Sequence, residues 1–168
     1  MQRRQPLPRL WLMTDERQGD ALWEALERLP TRSGIVFRHY SLEASERRQL
    51  FERVKAIARG RRLILLVAGL PLPGGDGVHG RRGGGLMSAS VHNLRELRAA
   101  ERAGADLVFL SPVFPTRSHP GARPLGPRRF ALIAHQAKVP VIALGGMDAE
   151  KARTLGGAYG WAGIDAWG

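Results

Sequence analysis

The sequence has no cysteine, which excludes a disulfide scaffold, a thiolate metal site and a cysteine nucleophile. A cysteine-free chain suits a reducing compartment, and the cytoplasm is the expected location. Long apolar runs are also missing. The longest, Leu63 to Pro73, is broken by Gly69 and Pro71 and falls well short of the roughly 18–20 residues of a membrane-spanning helix. No transmembrane segment is therefore expected. Met1 to Arg4 carries the positive charge of a signal peptide without the apolar stretch and small-residue cleavage site that would follow one, so no leader is expected either. Acidic residues are few, 15 against 26 basic ones, which leaves a formal net charge of +11. Such an excess raises nucleic acid as a partner, because clustered cations gain affinity by releasing counterions from phosphates. The pairs Arg47-Arg48, Arg61-Arg62, Arg81-Arg82 and Arg128-Arg129 are instead scattered along the chain, and lysine supplies only three of the basic residues. Small anionic molecules are the expected partners, and nucleic acid is not.

What is present is a globular composition: 43% hydrophobic and 24% charged residues over 168 positions, enough for one domain spanning 1–168. The 21 glycines and 11 prolines must punctuate many short elements. Strand-like runs fall at Leu10–Thr14, Gly34–Arg38, Arg62–Ala68, Gly77–His79, Leu86–Ser90, Asp106–Ser111, Pro140–Leu144 and Trp161–Ile164. Helical patterns lie between most of them. Asp20 is placed to cap one ending near Pro30, and Glu43 to Ala58 carries Leu50, Val54 and Ile57 at helical spacing. Asn93 caps Leu94 to Ala103, Pro127 opens a helix to about Ala137, and Asp148 caps another ending at Gly156-Gly157. Alternating strands and helices predict an α/β fold, a (β/α)8 TIM barrel, with an open doubly wound sheet as the alternative. The chain is shorter than the usual ~250 residues of that barrel. Gly69 to Asp76 and Gly80 to Gly85 are too short and glycine-rich for helices, so the barrel is expected to be trimmed, with the helices after strands 3 and 4 reduced to loops.

In such a barrel ligands bind at the loops after the carboxyl ends of the strands. Those positions hold Thr14-Asp15, Arg38-His39-Tyr40, His79-Gly80-Arg81, His92-Asn93, the long stretch Ser111 to Gly126, Gly145-Gly146, and Gly163-Ile164-Asp165. Glycine after strands 7 and 8 is where a barrel commonly holds a phosphate on backbone N–H groups, which points to Gly145, Gly146, Gly163 and Ile164. The sixth loop offers Thr116, Arg117, Ser118, His119 and Arg123, hydroxyl and cationic donors suited to an anion. Arg38 and Arg81 fall at mouth positions and are anion-binding candidates. His39 is a further binding candidate, and His79 and His92 are candidates with a plain structural reading beside them. Nothing matches a P-loop, a metal-spaced histidine pair or a Gly-x-Ser-x-Gly elbow, and Gly83-Gly84-Gly85 runs into a strand rather than a helix.

At these residues the chain resembles the thiamine phosphate synthase and thiazole tautomerase superfamily. The resembling segments, in order, are Leu12 to Asp15, Gly77 to His79, Ser90 to Leu97, Ala103 to Asp106, Ser111-Pro-Val-Phe-Pro-Thr116, and Pro140 to Gly146. The resemblance implies a transferase that joins a pyrimidine methyl diphosphate to a thiazole phosphate and releases pyrophosphate. The family's Thr-x-Thr-Lys stretch, which contacts the pyrophosphate, reads Thr116-Arg117-Ser118-His119 here, and Ser118 and His119 are the catalytic residues it implies. Other family positions have changed. The metal-binding carboxylates expected after strands 3 and 4 are replaced by Ala68-Gly69-Leu70 and Gly80-Arg81-Arg82-Gly83, and the Gln-x-Arg-x-Lys signature after strand 2 by Phe37 to Ser41. Pro112 stands where active tautomerases have a histidine. The expectation is that the protein alone holds no metal, that Mg2+ enters only with a diphosphate, and that small phosphorylated molecules are the partners. A non-catalytic or tautomerase-like binder of a thiamine-pathway phosphate is the alternative, and the oligomeric state is left open.

Overall fold

The computed structural model describes residues 6–167. Met1 to Gln5, which include the segment weighed above as a leader, and Gly168 lie outside the described residues. Eight parallel strands close into a barrel in sequence order: β1 (Leu10–Met13), β2 (Gly34–Phe37), β3 (Ile64–Ala68), β4 (Gly77–His79), β5 (Leu86–Val91), β6 (Leu107–Leu110), β7 (Val141–Ala143) and β8 (Gly160–Gly163). The ring is completed by β1 against β8, with Leu10 opposite Trp161 and Leu12 opposite Gly163. Five α-helices lie between strands: α1 (Ala21–Arg28), α2 (Ala44–Arg61), α3 (Leu94–Arg102), α4 (Gly126–Ala134) and α5 (Ala149–Ala152). The expected trimming is present, for no helix separates β3 from β4 or β4 from β5.

Both faces of most strands are covered, as a parallel sheet requires, but by different partners; on β5, Met87 and Ala89 are only half-buried and Ser90 is exposed. Trp11 and Met13 of β1 join Val36, Leu66, Leu107, Phe109 and Ile142 in the barrel interior. Alternate residues turn outward. Leu12, Ile35 and Leu65 pack under α1 and α2, while Val108, Leu110 and Val141 pack under α3 and α4. Trp11 fits inside only because Gly34 on the neighbouring strand has no side chain; a Cβ there would lie 2.2 Å from the indole ring. On the outside of β4, where a helix is missing, the Gly80–Gly85 loop lies close enough that a Cβ on Gly83 would meet Val78 at 2.8 Å.

Element ends differ from the sequence reading where a cap was misassigned. Asp20 makes no side-chain cap bond to α1. Asp15 instead caps a short 3-10 turn, Glu16–Gln18, in a reciprocal capping box with Gln18. Asn93 and Asp148 cap as expected, accepting from the backbone N–H of Glu96 and Lys151. The helix behind Asp148 runs only to Ala152, because Thr154 to Gly157 turns back toward β8.

Candidate functional site

The carboxyl ends of the strands form the mouth of the barrel. There a cavity of about 380 Å3 is lined by Arg38, Thr116, Arg117, Ser118, His119, Gly145, Gly146, Gly163 and Ile164, with Asp165 among its walls. A volume of this order suits a small ligand. The structure thus gathers onto one cavity nine of the fourteen candidate residues named from sequence.

The sixth loop forms one wall and is strapped to the end of β7. Val113 N–H donates to Leu144 O at 3.0 Å and Phe114 N–H to Gly145 O at 3.1 Å, while Leu125 N–H returns to Pro112 O at 2.8 Å. This strapping explains Gly145 and Gly146. At φ +101° a Cβ on Gly145 would sit 2.7 Å from Pro112 Cα, and at φ +60° one on Gly146 would sit 2.6 Å from Pro115 O. Sequence reasoning assigned these glycines to ligand approach; here they also let two backbones touch. Among the described residues, no backbone carbonyl accepts from the N–H groups of Gly145, Gly146, Ile164 or Asp165, which leaves them available to an anion. Gly146→Val is expected to push the sixth loop outward and cost roughly 1–3 kcal/mol of stability through overpacking and backbone strain. Urea melts and phosphate titration measure it; a variant with the parent's stability and affinity would remove the strap from this account.

The opposite wall is a charge network. Arg38 is only 19% exposed, donates from Nε to Thr14 O at 2.8 Å and approaches Asp15 Oδ2 at 3.4 Å. Burial lowers its pKa and the Asp15 charge opposes that, so the guanidinium remains a cation facing the cavity. Asp15 also accepts from Arg17 Nε at 2.8 Å, and Arg17 Nη2 donates to Ser118 Oγ at 3.1 Å, joining the first loop to the sixth. Burial alone would raise the Asp15 carboxyl, but the Arg17 hydrogen bonds and the charges of Arg17 and Arg38 outweigh it and hold the pKa below its usual value. Arg17 was not found from sequence, and a lone arginine four residues after a strand end gives no signal that could have found it. Asp165 lies near enough to Arg17 to interact electrostatically with it.

Five expected site residues lie elsewhere, among them Arg123, which is exposed on the sixth loop outside the cavity lining. His39 is buried, stacks on Phe37 and hydrogen-bonds through Nδ1 to Thr14 Oγ1 at 3.1 Å. His79 is also buried, with Nδ1 at 2.8 Å from Ser88 Oγ and Nε2 at 3.1 Å from Ser90 Oγ. Burial, helped by the charge of Arg38, pushes its pKa down to about 4. It is neutral at pH 7, with both ring nitrogens engaged. His92 is exposed and tied to Glu96 at 2.8 Å. Arg81 lines a separate groove with Tyr40 and Gly69, donating from Nε to Gly69 O at 3.1 Å. Behind it lies Arg47, buried and missed from sequence, which donates to His39 O, Ala68 O and Leu70 O.

A divalent cation does not fit these donors. The resemblance expects carboxylates at the ends of β3 and β4, and the residues there are Ala68, Gly69, Gly80 and Arg81, with the Arg81 guanidinium spanning the two ends. Asp15, the carboxylate nearest Arg38, is already committed to two arginines. Among the described residues no three of His, Cys, Asp or Glu are grouped to hold a metal.

A closed ring of eight parallel strands with an arginine-flanked cavity at their carboxyl ends defines the class: a (β/α)8 barrel with its candidate site at the usual end. The chain belongs to the thiamine monophosphate synthase family, whose model matches residues 81–166, half of the chain. It is 32% identical to "Putative thiamine-phosphate synthase 2" of Aquifex aeolicus over 94% of this chain and 96% of that one. A thiamine-phosphate synthase of Pyrococcus furiosus matches more locally, at 38% identity over 42% of this chain and 34% of that one. The solved structure of a thiamine phosphate pyrophosphorylase from Pyrococcus furiosus superposes with a TM-score of 0.78 at 26% identity, covering 95% of this chain and 86% of that one. Among the described residues no helix is long and apolar enough to cross a membrane.

Proposed function

We propose that the protein is a transferase of thiamine phosphate synthesis, joining a pyrimidine methyl diphosphate to a thiazole phosphate. The observation that carries this reading is the single cavity lined both by Gly145, Gly146 and Ile164, whose N–H groups no backbone carbonyl accepts from among the described residues, and by the donors Arg38, Thr116, Arg117, Ser118 and His119. The amides receive the thiazole monophosphate. The arginines and hydroxyls receive the diphosphate. The methylene C–O bond breaks, the electron pair leaves on pyrophosphate, and the thiazole nitrogen forms the new C–N bond, so charge on the departing group is what the site must stabilise. Arg38 and Arg117 do this as cations, Ser118 donates through its hydroxyl, and His119 donates through its ring N–H. Any Mg2+ arrives on the diphosphate rather than on the chain. The proposed location is the cytoplasm.

A second reading has its own observation. The ends of β3 and β4 offer no carboxylate, and Pro112 stands at the tautomerase histidine position, which favours a binder that has lost turnover. Incubating the protein with both substrates, with and without Mg2+, separates the two. Thiamine phosphate is the expected product, and Arg38→Ala is expected to lower its formation by about tenfold to a hundredfold, the worth of one or two hydrogen bonds to a charged group. Tight binding of the thiazole phosphate without product would establish the binder instead.

A further inference from the structure

At the end of the barrel opposite the mouth, where the strands begin, lies a larger cavity of about 640 Å3. Its apolar surface comes from Leu7, Ile64, Leu86 and Tyr159, and Arg32 and Arg62 line it as cations. The same two arginines also line an adjoining cavity of about 450 Å3. Their backbones are unusual. Among the described residues eleven glycines have positive φ, and the only other residues that do are Arg32 at +66° and Arg62 at +57°. Arg62 closes α2 in the left-handed conformation that glycine normally fills. A residue with a Cβ pays a conformational penalty there that glycine avoids. This chain uses glycine freely elsewhere, yet places arginine at both positions and aims both onto one cavity.

Both arginines are exposed. Among the described residues neither Arg32 nor Arg62 makes a side-chain hydrogen bond or an ion pair. The one carboxylate on the cavity wall, Asp76, is already committed, accepting from Arg59 at 3.0 Å and from Leu65 N–H at 2.8 Å. Arg9 is likewise engaged, stacked over Tyr159 and donating to Tyr159 O at 2.8 Å. The cavity therefore combines an apolar floor with two uncommitted guanidiniums, and a backbone strained to present them.

We propose that this cavity is a second binding site, separate from the mouth, for an organic phosphate monoester with an apolar ring. The ring rests on Leu7, Ile64 and Leu86, and the phosphate takes donors from Arg32 and Arg62. Two guanidiniums match the geometry and charge of one phosphate. The size of the cavity admits the ring as well. Nothing in this assignment depends on the mouth being catalytic.

Phenyl phosphate is the probe, followed by backbone amide shifts of the full chain, which report on the two ends of the barrel separately. Saturable shifts at Ile64, Gly85 and Leu86 are expected, with inorganic phosphate and phenol each binding there at least about tenfold more weakly. The double variant R32G/R62G is expected to lose at least about tenfold in affinity at these residues while shifts at Gly145 and Gly146 persist. The same variant should melt roughly 3 °C higher, because glycine relieves the left-handed strain. A double asparagine variant, R32N/R62N, removes the charge with a residue that tolerates left-handed backbone and should lose the same affinity. Absence of shifts at Ile64 and Leu86, equal binding by inorganic phosphate, or unchanged affinity in either double variant would overturn the proposal. A lower melting temperature in R32G/R62G would also overturn it, by showing that the arginines hold the fold rather than a ligand.

Discussion

Acidification from pH 7 to pH 4 is expected to cost the fold about 3 kcal/mol through His79 alone. In the unfolded chain this histidine takes a proton near pH 6.5, whereas in the barrel its pKa is about 4, first because it is buried and second because Arg38 is near. Below 6.5 the unfolded state therefore binds more protons than the folded one, and stability falls until the pH passes 4. Each pKa unit corresponds to about 1.4 kcal/mol. His39, lowered mainly by burial, acts in the same direction, so the comparison that isolates His79 is between the parent and His79→Gln. Urea melts at pH 7, 5.5 and 4 should show a steep decline for the parent and a shallower one for the variant. Parallel declines would mean that the ring is not held neutral by the barrel.

The second large effect concerns Arg47. Its guanidinium donates to three main-chain carbonyls, His39 O at 3.0 Å, Leu70 O at 2.8 Å and Ala68 O at 2.6 Å, and is buried with no carboxylate beside it. The residue works as a clamp between the ends of β2 and β3. Replacing it with leucine fills much of the space but leaves the His39 and Ala68 carbonyls without a donor away from water, at roughly 1–3 kcal/mol each. Arg47→Leu is expected to lose about 3 kcal/mol and to melt roughly 6–12 °C lower. The loss should reach the mouth as well, since Arg38 and Gly69 sit at the two strand ends that Arg47 joins. A melting temperature within roughly 2 °C of the parent would show that water replaces the guanidinium at little cost.

The barrel was legible because its signals are local. Each strand is a short apolar run bounded by glycine, proline or a capping residue, and all eight expected strands occur within a few residues of their expected ends. The missing helices could be read from length alone, since neither Gly69 to Asp76 nor Gly80 to Gly85 can hold one. The mouth was partly legible, because barrel topology sends every strand end to the same place. Arg38, Thr116, Arg117, Ser118 and His119 meet there for that reason. What could not be read is which side chains bond to each other across loops. The tie between Arg17 and Ser118 spans about a hundred residues, and the burial of His79 between two serines depends on the pairing of β4 with β5. Asp15 and Asp20 illustrate the same limit at short range. Both precede helical residues and either could cap, but only Asp15 has Gln18 placed to answer it, and Gln18 is itself anchored on Ile164 O at 2.8 Å.

The pairing of β1 with β8 has a consequence for how the chain reaches its folded state. Seven strands can assemble in order as they emerge from the ribosome, each against its predecessor, yet Leu10 and Trp11 find their second neighbours only when Trp161 and Ala162 arrive. Until then the outer edge of β1 exposes unpaired N–H and C=O groups, a template for any other extended strand. Trp161 N–H donating to Arg9 O at 2.8 Å is the contact that seals this edge. A nascent or truncated chain stalled before residue 160 thus presents the same unpaired edge in every copy, and such a chain is expected to aggregate at concentrations where the full chain stays in solution.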